Sequence, residues 1–253
     1  MFKHAIVRLP CPEMVAGLSS GSEGRPDFQK ALKQHSRYVE ALRNCGLEVK
    51  VLEADSRFPD SVFVEDVALC TPDCAVVTNP GAPSRNGEKR SIQPVLESYY
   101  KQVESIETPG TLDAGDVMRV GRHYYIGISR RTNTQGAEQL QKILKRYGMD
   151  GSMVPLKKML HLKSGLSYLE QDNLLISDEF LASPVFSDFH RIEVDPDEAY
   201  AANSLWVNST VLVPAGYPRT RKKIERAGYP TLSLDVSEFR KLDGGLSCLS
   251  LRF

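Results

Sequence analysis

The sequence lacks a long apolar run and an excess of charge of either sign, and both absences narrow the class of protein. No apolar stretch approaches the ~18 residues that a membrane-spanning helix needs. The 32 basic and 32 acidic residues leave a formal net charge of zero, so the whole chain exerts no general attraction on nucleic acid or an anionic membrane. The start of the chain is too short and too charged for a secretory signal. We therefore expect a cytoplasmic protein without nucleic-acid or membrane partners.

Cysteine and histidine are also scarce. The five cysteines are an odd number without a repeating spacing, which argues against a disulfide framework. Cys70 and Cys74 lie close together, but no second pair of cysteine or histidine residues completes a zinc site. The five histidines are scattered along the chain. These shortages argue against the usual transition-metal motifs and favour a reducing compartment.

What the chain has instead is a recurring pattern. At 253 residues it is long enough for one large domain or two small ones. Short polar segments recur roughly 40–50 residues apart, and paired strands and usually a helix follow them. The segments are 63–66, 112–116, 160–165, 201–204 and 242–245. Five such units closed in a ring would bring the polar segments to one axis. The alternative is an ordinary α/β protein whose turns recur by chance.

Apolar periodicity and turn residues predict the elements within these units. Strands are predicted at 117–120, 123–128 and 205–207, and a helix at 134–147. A final strand is predicted at 246–251, after the adjacent glycines Gly244 and Gly245, which permit a tight bend. It would carry Cys248 beside an irregular turn. A nucleophilic thiol fits that place, and so does a buried structural cysteine.

Five acidic residues lie in or beside the polar segments, among apolar neighbours: Asp60, Glu65, Asp66, Asp113 and Asp116. Carboxylates that converge in a partly desolvated site attract a cation. The sequence has no calcium-binding loop, and a guanidinium, with its planar set of five donors, matches several carboxylates at once. The acids could instead be turn and cap residues, an alternative that turn chemistry supports for Asp60 and Asp116. Glu65 and Asp66 lie inside a strand-like run, where that alternative is weaker.

A histidine, two arginines and a long loop complete the candidates. His161 lies between two leucines, where a histidine is more often part of a core, yet a catalytic cysteine needs a distant histidine as acid and base. Arg85 and Arg131 lie in loops; most such arginines are solvated, although a pair could clamp a substrate carboxylate. The loop at 11–26, which contains Leu18, has the length of a lid.

Taken together, these motifs resemble the dimethylarginine dimethylaminohydrolases of the guanidine-modifying, or pentein, superfamily. The segments that carry the resemblance follow the family's order along essentially the whole chain: 59–66, 81–85, 111–117, 131–133, 160–164, 201–203 and 243–244 with Cys248. The short tail after Cys248 resembles the bacterial branch. The resemblance implies a five-bladed α/β propeller of pseudo-symmetric units around a central site, with residues 1–253 as a single domain.

The resemblance also implies roles for single residues. Cys248 would attack the guanidinium carbon, and His161 would protonate the departing amine and then activate water. Asp113 would stand beside the guanidinium and His161. The remaining residues would bind substrate: Asp60, Glu65 and Asp66 at the charged end, Arg85 and Arg131 at the α-carboxylate, Leu18 from the lid, and Leu242 through its backbone at the α-amino group.

The implied reaction converts Nω-methylated arginines to citrulline and dimethylamine or methylamine through a covalent thiouronium intermediate. It requires no metal and no organic cofactor. The expected partner is a small-molecule substrate, and a homodimer is compatible with the sequence. An arginine deiminase, which releases ammonia, is one alternative, but such enzymes usually carry a helical insertion for which this chain is too short. The other is a catalytically silent guanidine-binding module.

The acids near the cysteine have a chemical consequence. A free thiol has a pKa near ~8.5, and neighbouring carboxylates raise it because the thiolate would add like charge. A bound cationic substrate reverses that effect. We therefore expect the Cys248 thiolate to form mainly once substrate is bound, with His161 protonated.

Overall fold

Five small sheets organise the fold, which is given by a computed structural model describing residues 1–21 and 23–253. In chain order the strands are β1 His4–Arg8, β2 Glu48–Leu52, β3 Ala68–Cys70, β4 Ala75–Val77, β5 Val103–Ser105, β6 Val117–Val120, β7 His123–Ile128, β8 Asp150–Pro155, β9 Leu166–Tyr168, β10 Asn173–Ile176, β11 His190–Glu193, β12 Leu205–Val207, β13 Thr210–Pro214, β14 Thr231–Leu234 and β15 Leu251–Arg252. The helices are α1 Phe28–Asn44, α2 Lys89–Glu97, α3 Thr134–Arg146, α4 Leu162–Gly165, α5 Pro218–Arg226 and α6 Ser237–Arg240. Within the described residues, no helix combines the length and the apolar character needed to cross a bilayer.

Each sheet has three strands and repeats one topology. The first strand pairs antiparallel with the second, and the second pairs parallel with the third, as in β6, β7 and β8. A parallel pair needs a crossover connection, and α1, α2, α3 and α5 supply it in four of the described sheets. The first sheet joins the two ends of the chain, because β15 pairs antiparallel with β1 through Leu251 and Ile6. The predicted α/β class and its recurring strand units are confirmed.

A short helical turn precedes the first strand of every sheet. We number these turns in chain order: turn 1 is Val64–Val67, turn 2 is Ala114–Asp116, turn 3 is Leu162–Gly165 (α4), turn 4 is Pro196–Ala202 and turn 5 is Ser247–Leu249. They lie at or beside the predicted polar segments. Turn 1 contacts turns 2 and 5, and turn 3 contacts turns 2 and 4. The fold therefore gathers polar residues from distant parts of the chain.

The strand predicted at 246–251 is wrong over most of its length. Turn 5 occupies Ser247–Leu249, and the strand begins only at Leu251. The reason lies in the backbone amides. Ser247 N–H donates to the side chain of Asn203 at 3.0 Å, and Ser250 N–H donates to the carbonyl of Ser247 at 3.5 Å, so neither serves a neighbouring strand. Glu65 and Asp66 likewise lie in turn 1 rather than in a strand.

Other predicted elements agree closely with the structure. The strands at 117–120, 123–128 and 205–207 are confirmed as β6, β7 and β12. The helix predicted at 134–147 is α3 and ends at Arg146. Its N-cap residue Asn133 accepts a hydrogen bond from Gly136 N–H at 2.8 Å, and Gly148 at φ 66° provides the left-handed exit after its last turn.

The core consists of apolar layers between the helices and the sheets. In the unit of β6, β7 and β8, Leu140 and Leu144 of α3 are fully buried against Ile126 of β7. Burying an aliphatic side chain of this size stabilises a fold by about 1.5–3 kcal/mol. Such layers keep each sheet rigid, so the turn in front of its first strand is held in place.

Helix α1 extends this support to the C-terminal segment. The hydroxyl of its fully buried Tyr38 donates to the carbonyl of Leu246 at 2.9 Å and lies 2.7 Å from Ser250 Oγ. These two contacts flank turn 5 on both sides. An early helix thereby fixes the backbone around Cys248.

Candidate active site

A cavity of about 270 Å³ lies beside the turns and brings most of the predicted site together. Of the ten predicted site residues, eight line it: Leu18, Asp60, Asp66, Arg85, Arg131, His161, Leu242 and Cys248. Six further lining residues were not among the predicted site residues, although they lie in the predicted polar segments or the predicted lid loop: Ser19, Ser20, Phe63, Leu160, Asp243 and Gly244. All six stand within three residues of a predicted one, which is the signal that could have found them. Cys248 and His161 share this cavity although they come from different turns.

Cys248 lies in turn 5 and is partly exposed to the cavity. Gly245 N–H approaches its Sγ at 3.4 Å. Burial, reinforced by the charges of Glu65 and Asp66, raises the pKa of the Cys248 thiol to about 12. The unliganded site therefore holds a neutral thiol at neutral pH.

His161 is the residue directly before turn 3, in extended backbone conformation. Its Nε2 lies 3.2 Å from Asp113 Oδ2 and 4.0 Å from Asp66 Oδ1. Burial opposes the charged imidazole, but Asp66, Asp116 and Asp113 together raise the pKa of His161 to about 9. At neutral pH the ring is an imidazolium that can donate a proton.

Two acids hold this histidine, although Asp113 itself does not line the cavity. Asp113 Oδ1 accepts from Gly81 N–H at 2.8 Å, and Asp66 Oδ1 accepts from Gly115 N–H at 3.1 Å. A Cβ on Gly115 would lie 2.7 Å from Asp66 Oδ1 and 2.9 Å from His161 Nδ1. Glycine is required there because the backbone approaches both side chains so closely.

Asp116 and Asp60 are local acceptors as well. Asp116 is fully buried and accepts from Thr132 Oγ1 at 2.6 Å and from Leu162 N–H at 3.0 Å. It therefore orients turn 3, in agreement with its interpretation as a turn residue. Asp60 Oδ1 accepts from Leu18 N–H at 2.9 Å, and burial raises the pKa of Asp60. Asp60 thus links the predicted lid to the cavity wall.

The two arginines differ in how firmly they are held. Arg85 is buried, donates to both carboxylate oxygens of Glu88 at 3.0 and 2.9 Å, and donates to Asp66 at 2.5 Å. The Arg131 side chain is 17% exposed, and Asp113, at 3.5 Å, is its sole ion-pair partner among the described residues. Arg85 is a fixed cation, whereas Arg131 can turn donors toward a ligand.

The loop predicted as a lid is hydrogen-bonded to a second segment that lines the cavity. Ser20 donates to the Asp243 carboxylate through both its N–H and its Oγ, each at 2.6 Å. Ser19 Oγ donates to the carbonyl of Lys241 at 2.6 Å. Leu18 lines the cavity next to these contacts in the chain and is 39% exposed. The tie consists of exposed hydrogen bonds, which water can replace at small cost.

The structure places Glu65 on the other side of turn 5 from Cys248 rather than on the wall of this cavity. Its carboxylate accepts from Ser247 Oγ at 2.7 Å, from Lys163 Nζ at 2.6 Å and from Arg252 Nη2 at 3.3 Å. These partners turn Glu65 toward a second cavity of about 660 Å³, which has no lining residue in common with the first. The expectation that Glu65 touches the substrate therefore has no support in its position.

The one three-residue group with metal-ligand spacing in residues 1–21 and 23–253 is Asp66, Asp113 and His161, whose ligand atoms lie within 4.8 Å of one another. A metal ion would need the neutral imidazole. In the metal-free site the imidazole is protonated at neutral pH, because its pKa is about 9, so a metal ion would have to displace that proton. The donor set suits a proton-transfer histidine between two carboxylates better than a metal centre.

The cavity combines groups that can carry out a substitution reaction. It offers a thiol as nucleophile, an imidazolium as proton donor, and the carboxylates Asp60 and Asp66 on the wall of the same cavity. A planar cation placed against these acids would lower the thiol pKa and present its carbon to sulfur. Such a site suits the replacement of a substituent on a guanidinium carbon.

Comparisons with known proteins bear on the family. Residues 21–180 match the family model described as N,N dimethylarginine dimethylhydrolase, eukaryotic. A dimethylarginine dimethylaminohydrolase of Pseudomonas aeruginosa is 54% identical over 100% of both chains. The chain belongs to the dimethylarginine dimethylaminohydrolase family. Another member, from Streptomyces coelicolor, is 35% identical over 99% of this chain and 96% of its own.

Solved structures place the family's fold on this chain. A cysteine-to-serine mutant of the P. aeruginosa dimethylarginine dimethylaminohydrolase, complexed with citrulline, superposes with a TM-score of 0.99 over 100% of both chains. The N-terminal domain of the cyanobacterial arginine dihydrolase ArgZ has a TM-score of 0.89 at 20% identity, over 100% of this chain and 97% of its own, and supports the fold alone. The family predicted from the motifs is confirmed, and the similarity to a bacterial member agrees with the predicted branch.

Proposed function

We propose that the protein hydrolyses asymmetric dimethylarginine and monomethylarginine to citrulline and the corresponding methylamine. The observation that carries the proposal is the convergence of Cys248 and His161 on one cavity whose wall includes Asp60 and Asp66. The P. aeruginosa relative is named for this activity and was captured with citrulline, which is the reaction's product.

Substrate binding prepares the nucleophile. Burial and the charges of Glu65 and Asp66 hold the pKa of Cys248 high. The guanidinium lies against Asp60 and Asp66 and adds a positive charge beside the sulfur, which lowers the thiol pKa, so the thiol loses its proton to solvent. Glu65 acts on Cys248 from behind, through its charge. Arg85 and Arg131 hold the α-carboxylate, Arg131 as the adjustable partner.

Two smaller contacts complete the binding of the amino-acid end. The lid residue Leu18 covers the substrate, and the backbone of Leu242 meets the α-amino group. Both residues line the cavity, which supports the assignment. Closing the lid excludes water and strengthens every charge interaction beneath it.

In the first half-reaction the Cys248 thiolate attacks the guanidinium carbon and forms a C–S bond. His161, held between Asp113 and Asp66, gives its proton to the methylated nitrogen. The C–N bond breaks, dimethylamine or methylamine leaves, and a thiouronium remains on the sulfur.

In the second half-reaction the now neutral His161 accepts a proton from water. The resulting hydroxide attacks the thiouronium carbon and forms a C–O bond. The C–S bond breaks and its electron pair returns to the Cys248 sulfur, which takes up the hydroxyl proton of the adduct, so the thiol is restored and neutral citrulline leaves. His161 recovers in the second half-reaction the proton that it gives in the first. The catalytic cycle therefore consumes no reactant other than the substrate and water.

We also propose that the five sheets are the blades of a propeller, with residues 1–253 as one domain. Contacts of β15 with β3, β6 with β9, and β9 with β12 support a ring of first strands around the turns. A homodimer and a cytoplasmic location are further proposals. Sedimentation of the purified chain and fractionation of the producing cells test them.

The decisive experiment compares arginine, monomethylarginine and asymmetric dimethylarginine as substrates of the full chain. Citrulline with stoichiometric methylamine or dimethylamine, and its loss in Cys248→Ser, is the expected result. Ammonia and citrulline from arginine alone would indicate an arginine deiminase. Tight binding of methylarginine without citrulline would indicate a silent binding module.

A further inference from the structure

A closed cycle of hydrogen bonds lies directly behind the catalytic pair. Asn203 bonds to Ser247, Ser247 to Glu65, Glu65 to Lys163, and Lys163 back to Asn203. Turns 1, 3 and 5 supply three of these residues, and Asn203 follows turn 4. Four of the five turns are thereby joined in one cycle.

Asn203 uses its side chain fully in this cycle. Its Oδ1 accepts from Ser247 N–H at 3.0 Å, while Nδ2 donates to the carbonyl of Lys163 at 2.8 Å and to Ser247 Oγ at 3.0 Å. Only 5% of the residue is exposed. An exchanged amide would set oxygen against the Lys163 carbonyl and nitrogen against the Ser247 N–H, so a single orientation satisfies all groups.

The surroundings admit no adjustment of this side chain. Ser247 Oγ gives its hydrogen to Glu65, so toward Asn203 it must accept, as the amide orientation requires. A Cβ on Gly245 would lie 2.4 Å from Asn203 Oδ1. The glycine before the nucleophile turn is therefore needed to let the amide approach.

We propose that Asn203 is a positioning residue that sets the placement of Cys248 relative to His161. It holds Ser247, the neighbour of Cys248, and the backbone of Lys163, two residues after His161. The Glu65–Lys163 ion pair also connects these turns, but through a lysine with a long flexible stem. The short Asn203 side chain fixes the distance between turns 3 and 5 more tightly than this ion pair does. This inference rests on the proposed function, because positioning has a measurable consequence only for a reaction that uses both residues.

The test measures kcat, KM and thiol reactivity in the full-length protein. Asn203→Ala should lower kcat for dimethylarginine roughly 10- to 100-fold, because small misplacements of reacting groups cost about this much. KM should stay within about threefold, since Asn203 does not line the substrate cavity. Alkylation of Cys248 by iodoacetamide in the presence of an inert guanidine should also slow. Asn203→Asp keeps the acceptor for Ser247 N–H but loses the donor to Lys163, and should also lower kcat.

Asn208 provides a matched control in the same unit. Its side chain also makes three hydrogen bonds, accepting from Phe2 N–H at 2.7 Å and donating to the carbonyls of Phe2 and Cys45 at 3.1 and 2.9 Å. None of these partners lines the candidate site. Asn208→Ala should lower the urea midpoint at least as much as Asn203→Ala, because it also places alanine at φ 60°, yet leave kcat unchanged.

The outcomes separate cleanly. If wild type releases citrulline and Asn203→Ala keeps kcat and the alkylation rate within about twofold, the positioning role is refuted. An equal loss of kcat in Asn208→Ala would also refute it, because general destabilisation would then explain both variants. If Asn203→Ala does not fold, the isosteric Asn203→Asp decides by the same two readouts. A wild type that releases no citrulline would refute the proposed function instead.

Discussion

The two cavities border the same turns, and neighbouring residues of one turn face different cavities. In turn 5, Cys248 lines the cavity of about 270 Å³, whereas Ser247 lines the one of about 660 Å³. In turn 1, Asp66 and Glu65 divide in the same way. The turns therefore form a partition with a reactive side and a supporting side.

The comparison shows that volume alone does not locate the chemistry. The larger cavity has a cysteine, Cys70, and a pair of cations, Lys163 and Arg252, but the cations are bound to Glu65. The smaller cavity also has a cysteine, and in His161 it has a histidine whose pKa nearby carboxylates raise to about 9. Converging titratable groups indicate a reactive site better than size does. Variants of residues in the smaller cavity, compared with matched variants elsewhere, test this difference.

The largest effect is expected from the two cysteines. Cys248→Ser should reduce citrulline formation at least about 10³-fold, because the hydroxyl is a far weaker nucleophile. Cys70→Ser, in the larger cavity, should leave the rate unchanged. Steady-state assays of both variants check this, and comparable losses would erase the distinction between the cavities.

The pH dependence should separate the same two thiols. Since His161 must be protonated to act as acid, kcat/KM should fall up to about tenfold per pH unit once the pH exceeds about 9. Burial raises the pKa of both Cys248 and Cys70 to about 12, so both thiols should alkylate slowly at neutral pH. A bound inert guanidine should move only the Cys248 curve to lower pH.

Mass spectrometry of iodoacetamide-treated peptides measures these two curves separately. A Cys248 alkylation rate in free enzyme that already levels off near pH 7 would contradict the neutral thiol. A ligand-induced change at Cys70 would place the guanidine in the wrong cavity.

An intermediate effect is expected from the arginines. Arg131→Gln should raise KM about 10- to 100-fold with a smaller change in kcat, because a charge-assisted hydrogen bond contributes about 1.5–3 kcal/mol. Arg119, which lines the larger cavity, is the control, and Arg119→Gln should leave KM unchanged. Initial rates over a range of substrate concentrations give both constants. An unchanged KM in Arg131→Gln would remove the carboxylate clamp from the proposal.

The smallest effect is expected from the lid. Asp243→Asn weakens the two hydrogen bonds from Ser20 and should raise KM about 2- to 10-fold. Asparagine accepts the left-handed backbone at φ 58°, so the loop itself is preserved. Asp172→Asn, at a left-handed position outside the cavity lining, should leave KM unchanged. Equal KM values for both variants would show that the Ser20 contact does not hold the lid.

Sequence patterns predicted the fold class and most of the cavity lining. Strands such as β6 and β7 follow from alternation and turn residues that act over a few neighbours, and they are confirmed. The strand at 246–251 was wrong because Ser247 N–H binds Asn203 from a distant unit and Ser250 N–H binds the carbonyl of Ser247. Local periodicity cannot predict a hydrogen bond to a residue that is distant in the chain.

In the candidate site, too, local sequence patterns could not predict which distant residues a given side chain contacts. Glu65 and Asp66 are adjacent acids, and the sequence offers no reason to prefer either as the ligand of a cation. The helical turn points Glu65 toward Lys163 and Asp66 toward His161. Asn203 belongs to a segment that the sequence singled out, but its role depends on contacts with Ser247. Neither distinction could be drawn before the turns were assembled.

By itself, the amino-acid sequence determined which chemical groups the protein possesses and the order in which recurring units carry them. It also determined the family, since the motifs span essentially the whole chain. Tertiary structure alone decided which side of the partition each group faces, and with it the size of the pKa shifts of Cys248 and His161. The physical reason is that pKa values and hydrogen-bond partners depend on distances of a few ångströms between turns far apart in the chain, and packing of the sheets sets those distances.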